Sequence, residues 1–425
     1  MFNWQKMCAV CVLHVVLCAM PAVADTLVCM PTDVDGALNK ASERSVRFAT
    51  FNAYLNRFQE GDLISDLQSQ DNSQIRAVAE IIQRTHPDVL LLNEFDYDES
   101  GTAIALFQTN YLSVPQNGQA AIEYPYIYLA ESNTGLASGY DLDNDGVVNG
   151  AGDAFGFGSF PGQYGMVLLS KFPIIDRQVR TFQKFLWKDM PGALLPDDAQ
   201  TSEVQDYYND EELKVFRLSS KSHWDIPLWI NGAVVHVLAA HPTPPVFDGI
   251  EDRNGRRNHD EIRFWADYVS GSWQSKYIYD DQGRRGGIKG SKAFVILGDY
   301  NADPIDGDST NNAIMQLLSH PRIDTQMTPA SLGADEDAEL EGQYNDLHIA
   351  SPLMDTGDFN PANPGNLRVD YVLPSKRGLK PVCGGVFWPR EKDQTRYLVG
   401  SGYPVVSSDH HLVWFDIEPK GYWYQ

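Results

Sequence analysis

The 425-residue chain has little cysteine, a shortage of basic residues and no long apolar run beyond its first residues. Of five cysteines, Cys8, Cys11 and Cys18 fall within residues 1–24. Only Cys29 and Cys383 follow, with no CxxC pair, which argues against a thiolate zinc centre. Lys and Arg number 33 against 57 Asp and Glu, for a formal net charge of -24. A general scavenger of nucleic acid carries the opposite sign, because phosphate polyanions are repelled by an acidic field. A phosphate ester held through a metal ion is not excluded, since the ion inverts the local field. No internal repeat is present. The composition is that of a folding chain: 43% hydrophobic residues with 11% aromatics exclude a wholly disordered protein.

The amino terminus sets the expected compartment. Lys6 precedes an apolar run over residues 7–20, and Pro21-Ala22-Val23-Ala24-Asp25 supplies an A-x-A site. This predicts a signal peptide over residues 1–24, cleaved after Ala24, and a secreted or periplasmic protein. An apolar run of about 14 residues is too short to span a bilayer. A lipid anchor at Cys18 is disfavoured by bulky Leu17, where a small residue is wanted. In an oxidising compartment Cys29 and Cys383 are then expected to pair, tying an N-terminal arm (25–45) to the C-terminal region of one enlarged domain (46–420). The mature chain is expected to act as a monomer.

Short β-rich runs occur at 46–51, 89–92, 166–169, 234–239, 293–297, 369–373 and 411–416. Most are rich in Val, Ile, Leu or Phe and end at a polar residue, as buried strands do. Residues 74–84 carry Ile75, Val78, Ile81 and Ile82 at helical spacing, and His86-Pro87 stops that helix. Further helices are predicted over 260–268 and 311–318. Alternating strands and helices predict α/β layers. Residues 101–162, 180–222 and 327–366 read as long loop insertions, and the acidic run 335–341 as a solvated loop.

Polar residues stand at the strand ends. Asn52, Glu94, His241, Asp299 and Asn301 follow strands; Arg368, Asp370, Asp409 and His410 flank strand starts. In one sheet system they would gather at one rim, where α/β folds place their sites. Glu94, Asp299 and Asp409 offer hard oxygen ligands without thiolates, which suits magnesium, manganese or calcium. An Asp370–His410 pair makes a general base for water, and Asn301 a donor to a developing oxyanion. Metal, base and oxyanion donor together describe phosphate-ester hydrolysis.

At this point the chain resembles a known family. Arg47-Phe48-Ala49-Thr50-Phe51-Asn52, Leu91-Leu92-Asn93-Glu94, Gly165-Met166-Val167-Leu168-Leu169-Ser170-Lys171-Phe172-Pro173, Ala239-Ala240-His241, Leu297-Gly298-Asp299-Tyr300-Asn301, Arg368-Val369-Asp370-Tyr371-Val372 and Ser408-Asp409-His410 occur in the order found in the endonuclease/exonuclease/phosphatase superfamily. Each motif alone is weak, and seven in order are specific. The resemblance implies a four-layered α/β/β/α sandwich of the DNase I-like kind, with the site between two sheets. It implies Glu94 as principal metal ligand, with Asn52 and Asp409 beside it, and Mg2+ or Mn2+ as the catalytic ion. It implies His410, paired to Asp370, as general base or phosphate-stabilising histidine. Asp299 and Asn301 would orient water and hold the phosphate, His241 would assist the leaving group, and Tyr164 would contact phosphate.

Two further stretches carry expectations. Asp141-Leu142-Asp143-Asn144-Asp145-Gly146 resembles the start of a calcium loop, with Asp153 as a later ligand, and predicts structural Ca2+. An Asx/Gly-rich turn is the competing reading. Arg253, Arg256 and Arg257, in the most basic stretch, carry two readings: a loop leading to a helix with its arginines paired to surface acids, or a clamp for an anionic substrate, since guanidinium matches phosphate in bidentate fashion. The leading expectation is a metal-dependent hydrolase of small phosphodiesters or phosphomonoesters. An extracellular endonuclease of the same fold is the nearest rival, disfavoured by charge. A catalytically silent calcium- or surface-binding protein is the rival from another class.

Overall fold

The computed structural model describes residues 38–271, 273–400 and 405–420. The leader, Ala24 and Cys29 lie outside the described residues. Cys383 is disulfide-bonded.

Among the described residues, eleven strands form two mixed sheets. They are β1 (Val46–Leu55), β2 (Val89–Phe95), β3 (Tyr126–Leu129), β4 (Met166–Ser170), β5 (Arg180–Thr181), β6 (His223–Ile230), β7 (Ala233–Ala240), β8 (Ala293–Asp299), β9 (Asp370–Pro374), β10 (Leu379–Val386) and β11 (Val413–Pro419). The first sheet has the order β10-β11-β1-β2-β4-β3 and the second β5-β6-β7-β8-β9. The pairs β1–β2 and β7–β8 are parallel, and the other ladders are antiparallel.

Period-two alternation sorts the side chains into three apolar layers. Ala49, Phe51, Leu90 and Leu92 point outward and pack with Ile75, Val78 and Ile82 of the helix Ser73–Thr85. Their strand neighbours Phe48, Val89 and Leu91 point inward and meet Val235, Val237, Val295 and Leu297 of the other sheet. Leu238, Phe294 and Ile296 point out again, onto Ile262, Trp265 and Val269 of the helix Arg253–Ser270. The result is the α/β/β/α sandwich. Truncating an inner-layer residue such as Leu91, fully buried, to Ala is worth about 2–5 kcal/mol by lost burial and cavity formation.

Several expectations change. The helix around 260–268 begins at Arg253, because its first turns are polar and give no apolar period. The acidic run is not a solvated loop: it lies in the helix Leu332–Glu341, and buried Asp337 accepts hydrogen bonds from Trp388 Nε1 and Arg396 (2.6 Å). The expected 411–416 strand starts at Val413, and His411 instead stacks on Trp388 at 3.7 Å. Among the described residues no helix is long and apolar enough to cross a membrane.

Candidate active site

The inward-facing rows turn polar at one end of the sandwich. On β1 the row Phe48, Thr50 ends at Asn52; on β2 the row Val89, Leu91 ends at Asn93. On the second sheet Val237 and Ala239 lead to His241, Val295 and Leu297 to Asp299, and Val372 back to Asp370. Strand parity thus delivers polar groups from both sheets into the same layer without a special device.

Asp299 and Asp370 stand directly opposite each other in the β8–β9 ladder. Like charges so placed repel, and His410 stands between them. Its Nδ1 lies 2.9 Å from Asp370 Oδ2 and its Nε2 3.7 Å from Asp299 Oδ2. Burial alone would lower the imidazole pKa, but Asp370 and Asp299 raise it well above its ordinary value. His410 is therefore held as an imidazolium. Asp299, despite burial, is pulled below the usual carboxylate range by His410 and His241.

A second tier fixes this group. The Thr356 hydroxyl donates to Asp370 Oδ2 at 2.9 Å and accepts the amides of Val369 and Asp370 at 3.0 Å each. Ser408 Oγ donates to the Asn52 carbonyl (2.7 Å) and accepts from the His410 amide (3.1 Å), tying β1 to the histidine loop. Asn52 Nδ2 donates to Asp299 Oδ2 at 3.1 Å. Gly298 permits the close approach of β8 to β7: its φ is +154°, and a Cβ there would stand 2.0 Å from the Ala240 carbonyl oxygen.

His241 is the counterpart of opposite sign. Its Nε2 lies 3.3 Å from Asp299 Oδ2, while its Nδ1 is buried with no partner. Burial, and next Lys221, lower its pKa to about 4. At neutral pH it is uncharged, with the Nε2 proton turned to Asp299, so it does not stand ready as an acid for a leaving group.

Glu94 sits at the end of β2, partly buried and with φ of 57°. Tyr54, Tyr164 and Asn301 also have positive φ, at 50°, 57° and 50°. Left-handed backbone costs a non-glycine residue roughly 1–3 kcal/mol, and such strain clusters at functional sites. Asn56 Nδ2 donates to Glu94 Oε2 at 2.7 Å. Burial, and next the charge of Asp409, push the Glu94 pKa up to about 7. Tyr164 borders this carboxylate, and its hydroxyl pKa is raised by burial, Glu94 and Asp96. Uncompensated oxygen donors of this kind suit a hard divalent cation. A different donor group also converges here: atoms of Asp299, Asp370 and His410 lie within 4.8 Å of one another. That closeness is already explained by the His410 hydrogen bond.

The structure brings together Asn52, Glu94, Tyr164, His241, Asp299, Asp370, Asp409 and His410. Asn301 adjoins them, its amide bonded to Asp299 Oδ1 (2.8 Å) and its Nδ2 to the Pro242 carbonyl (3.1 Å). The arginine clamp is corrected. Arg257 is buried and donates to the carbonyls of Leu218 (2.8 Å), Phe155 (2.5 Å) and Arg217 (3.0 Å). Arg253 pairs with Glu251, and Arg256 with Asp252 (3.9 Å) and the Leu195 carbonyl (3.3 Å). Packing occupies Arg253 and Arg257 as the paired-arginine reading expects, while Arg256 Nε is buried without a hydrogen-bond partner. In the acidic loop the carboxylates of Asp141, Asp143 and Asp145 converge, while Asp153 turns to the amides of Leu142 and Asn149 at 2.7 Å each. Sequence reading missed Asn93 and Thr356. Asn93 was legible from strand parity; Thr356 lies in an insertion without pattern.

The family profile described as "Endonuclease/Exonuclease/phosphatase family" matches residues 49–410, and the chain belongs to that family, whose members are phosphoester hydrolases. Among solved structures it is similar to an endonuclease/exonuclease/phosphatase from Beutenbergia cavernae (16% identity, 89% of this chain and 72% of that one, TM-score 0.46). It is also similar to sphingomyelinase C from Streptomyces griseocarneus (15% identity, 88% and 99%, TM-score 0.43). A third is a mutant beta toxin from Staphylococcus aureus with bound magnesium ions (15% identity, 88% and 99%, TM-score 0.43). No curated protein sequence matches the chain.

Proposed function

We propose that this protein is an exported, divalent-metal-dependent phosphoesterase acting on small phosphodiesters or phosphomonoesters, lipid-type headgroup esters included. The observation that carries the reading is the buried His410 ring held between Asp370 and Asp299, beside Glu94 with its positive φ. Glu94, with Asn52 and Asp409 as neighbours, would hold Mg2+ or Mn2+. When bound, such an ion supplies Lewis-acid polarisation of phosphoryl oxygen.

The chain's own residues do the rest. His410 presents fixed positive charge to the phosphoryl oxygens as negative charge builds on them. Asp370 and Thr356 fix its ring, so little reorganisation is needed. Asp299 stays ionised and orients the attacking water, and Asn301 holds the phosphate. Neutral His241 locks the Asp299 carboxylate from the other side. Tyr164 contacts the phosphate from the Glu94 flank. The Asp141 loop supports structural Ca2+ as a separate element of the reading.

Hydrolysis should require added metal and fall by about 10²–10⁴-fold in Glu94→Ala and His410→Ala. Wild-type rates in both variants on an accepted substrate would overturn the site. A panel of DNA, RNA, phospholipids, inositol phosphates and nucleotides, with and without magnesium, manganese and calcium, identifies the substrate class. Cleavage of plasmid DNA at physiological salt, lost in His410→Ala, would move the assignment to an endonuclease. Amino-terminal sequencing of exported protein tests the leader, and a start at Asp25 is expected.

A further inference from the structure

The loops that lead away from the site end in exposed apolar side chains. Residues 243–252 follow His241, and residues 302–310 follow Asn301. Their bases are tied together. Asn301 Nδ2 donates to the Pro242 carbonyl (3.1 Å), and buried Asn258 Nδ2 to the carbonyls of Thr243 (2.7 Å) and Tyr300 (2.9 Å). Farther out, the Thr310 hydroxyl donates to Asp252 Oδ2 at 2.8 Å. A third segment is pinned to the second loop: the amides of Ile349 and Ala350 donate to the Asp306 carboxylate at 2.8 and 2.9 Å. Phe247, Ile250 and Ile349 are 87%, 86% and 85% exposed, and Ile305 and Leu347 are each more than half exposed.

Single apolar residues scattered over a surface need no explanation. These sit on three segments bonded to one another and continuous with the site. The first loop is also built to hold its ring outward. Pro242, Pro244 and Pro245 restrict the backbone that leads to Phe247. Asn254 Nδ2 donates to the Val246 carbonyl (2.7 Å), and Asp248 Oδ2 accepts the Asn254 amide (2.6 Å). Phe247 itself has φ of 67°, a left-handed conformation that is costly for a bulky residue, and burial of the ring does not offset it. The charge around the tips is of one sign. Asp248, Glu251, Asp252, Asp306 and Asp308 stand among them, and residues 243–252, 302–310 and 345–350 contain no Lys or Arg. Arg253, the next cation along the first loop, pairs with Glu251. Such a rim repels an anionic surface. It complements a surface that presents cationic groups above an apolar layer, as the outer ammonium groups of a zwitterionic leaflet do.

We propose that Phe247, Ile250, Ile305, Leu347 and Ile349 dock the site on a zwitterionic lipid surface, their side chains entering the boundary between headgroups and acyl chains. The proposal deepens the phosphoesterase reading above and rests on it for the substrate, which is then a phosphoester headgroup presented at an interface. A lipid layer needs no matching shape, so separate apolar tips suffice to engage it. A protein partner or a second copy of the chain would need a continuous complementary face, which acids interrupt here.

Flotation of the full-length protein with phosphatidylcholine vesicles, in magnesium at low and high salt, tests the surface. Wild type is expected to float with the vesicles equally at both salt concentrations, and admixed phosphatidylserine to weaken binding. The double variant Phe247→Ser, Ile250→Ser is expected to lower the partition about 100-fold, the value of two partly inserted side chains. It should lose turnover of a vesicle-borne ester and keep that of a soluble short-chain ester. A wild type that does not float, that floats only when phosphatidylserine is present, or that floats as well after the double substitution overturns the proposal. So does a dimer in sedimentation equilibrium that the double substitution dissolves, which would assign the tips to a second copy. Flotation is read without turnover, so the two readings fail separately. A protein that floats through these residues but hydrolyses no ester sinks the functional reading and keeps the docking surface. One that hydrolyses soluble esters and does not float does the reverse.

Discussion

Burial of His223 makes the fold labile to acid. This residue opens β6 and is 1% exposed. Its Nδ1 faces Ser219 Oγ at 2.6 Å and its Nε2 the Glu261 carbonyl oxygen at 2.9 Å. The carbonyl can only accept, so Nε2 carries the proton and the serine hydroxyl donates to Nδ1. Phe264 and Trp265 flank the ring at 4.9 and 5.1 Å between centroids. Burial outweighs the favourable Glu261 charge and carbonyl and lowers the pKa to about 4 from its ordinary 6.5. The sign follows from linkage. The unfolded chain binds a proton below pH 6.5 that the folded chain refuses, so stability is full above that pH and is lost on acidification down to about pH 4. At 1.36 kcal/mol for each pH unit of difference, the loss between pH 7 and 4.5 is about 2–3 kcal/mol. Urea unfolding of wild type and His223→Gln at both pH values isolates it, because other titrating groups are common to both proteins. The variant is expected to be weaker at pH 7 but to lose about 2–3 kcal/mol less on acidification. Equal acid losses in the two proteins would refute the reasoning.

Thr356→Val removes the hydroxyl that serves Asp370 and two buried amides; a stability loss of roughly 2–4 kcal/mol and a fall in kcat of about tenfold are expected. In a His410→Ala background the same change should cost no further activity, and an additive loss would show that Thr356 does not act through the histidine. For the acidic loop, calcium is expected to raise the Tm of wild type and not of Asp143→Asn, measured by calorimetry. An unchanged wild-type Tm would leave Asp141, Asp143 and Asp145 as caps for the loop's own amides, which they already bond at 2.7–3.2 Å.

The parts of the fold that were legible are those whose burial is uniform. Each of the seven expected strands overlaps an observed one, because a strand covered on both faces reads as a continuous apolar run. The strands that escaped notice carry local contradictions. In β6, His223, Asp225 and Pro227 interrupt the pattern, yet Asp225 is buried because Tyr268 and His236 satisfy it. In β10, Pro381 removes a ladder donor, and the register shifts between Pro381 and Cys383. The site shows the same division. Residues at strand ends were found, because strand parity and motif order both point at them. Thr356 reaches the site from an irregular segment, where position comes from tertiary hydrogen bonds that no local period encodes.

The excess of acid in this chain also takes on a more specific meaning. The site itself gathers Glu94, Asp299, Asp370 and Asp409 against His410, so without a bound cation it repels phosphate. Many of the scarce arginines are occupied elsewhere: Arg47 by Asp416, Arg180 by Asp280, Arg257 by carbonyl oxygens. A long polyanion binds through many phosphates at once and needs a track of uncommitted cations. In the proposed reading the site presents His410, one positive centre held by Asp370 and Asp299, to a single phosphoryl group. That geometry favours a small ester whose other end is read by the surrounding loops over a duplex held along its backbone.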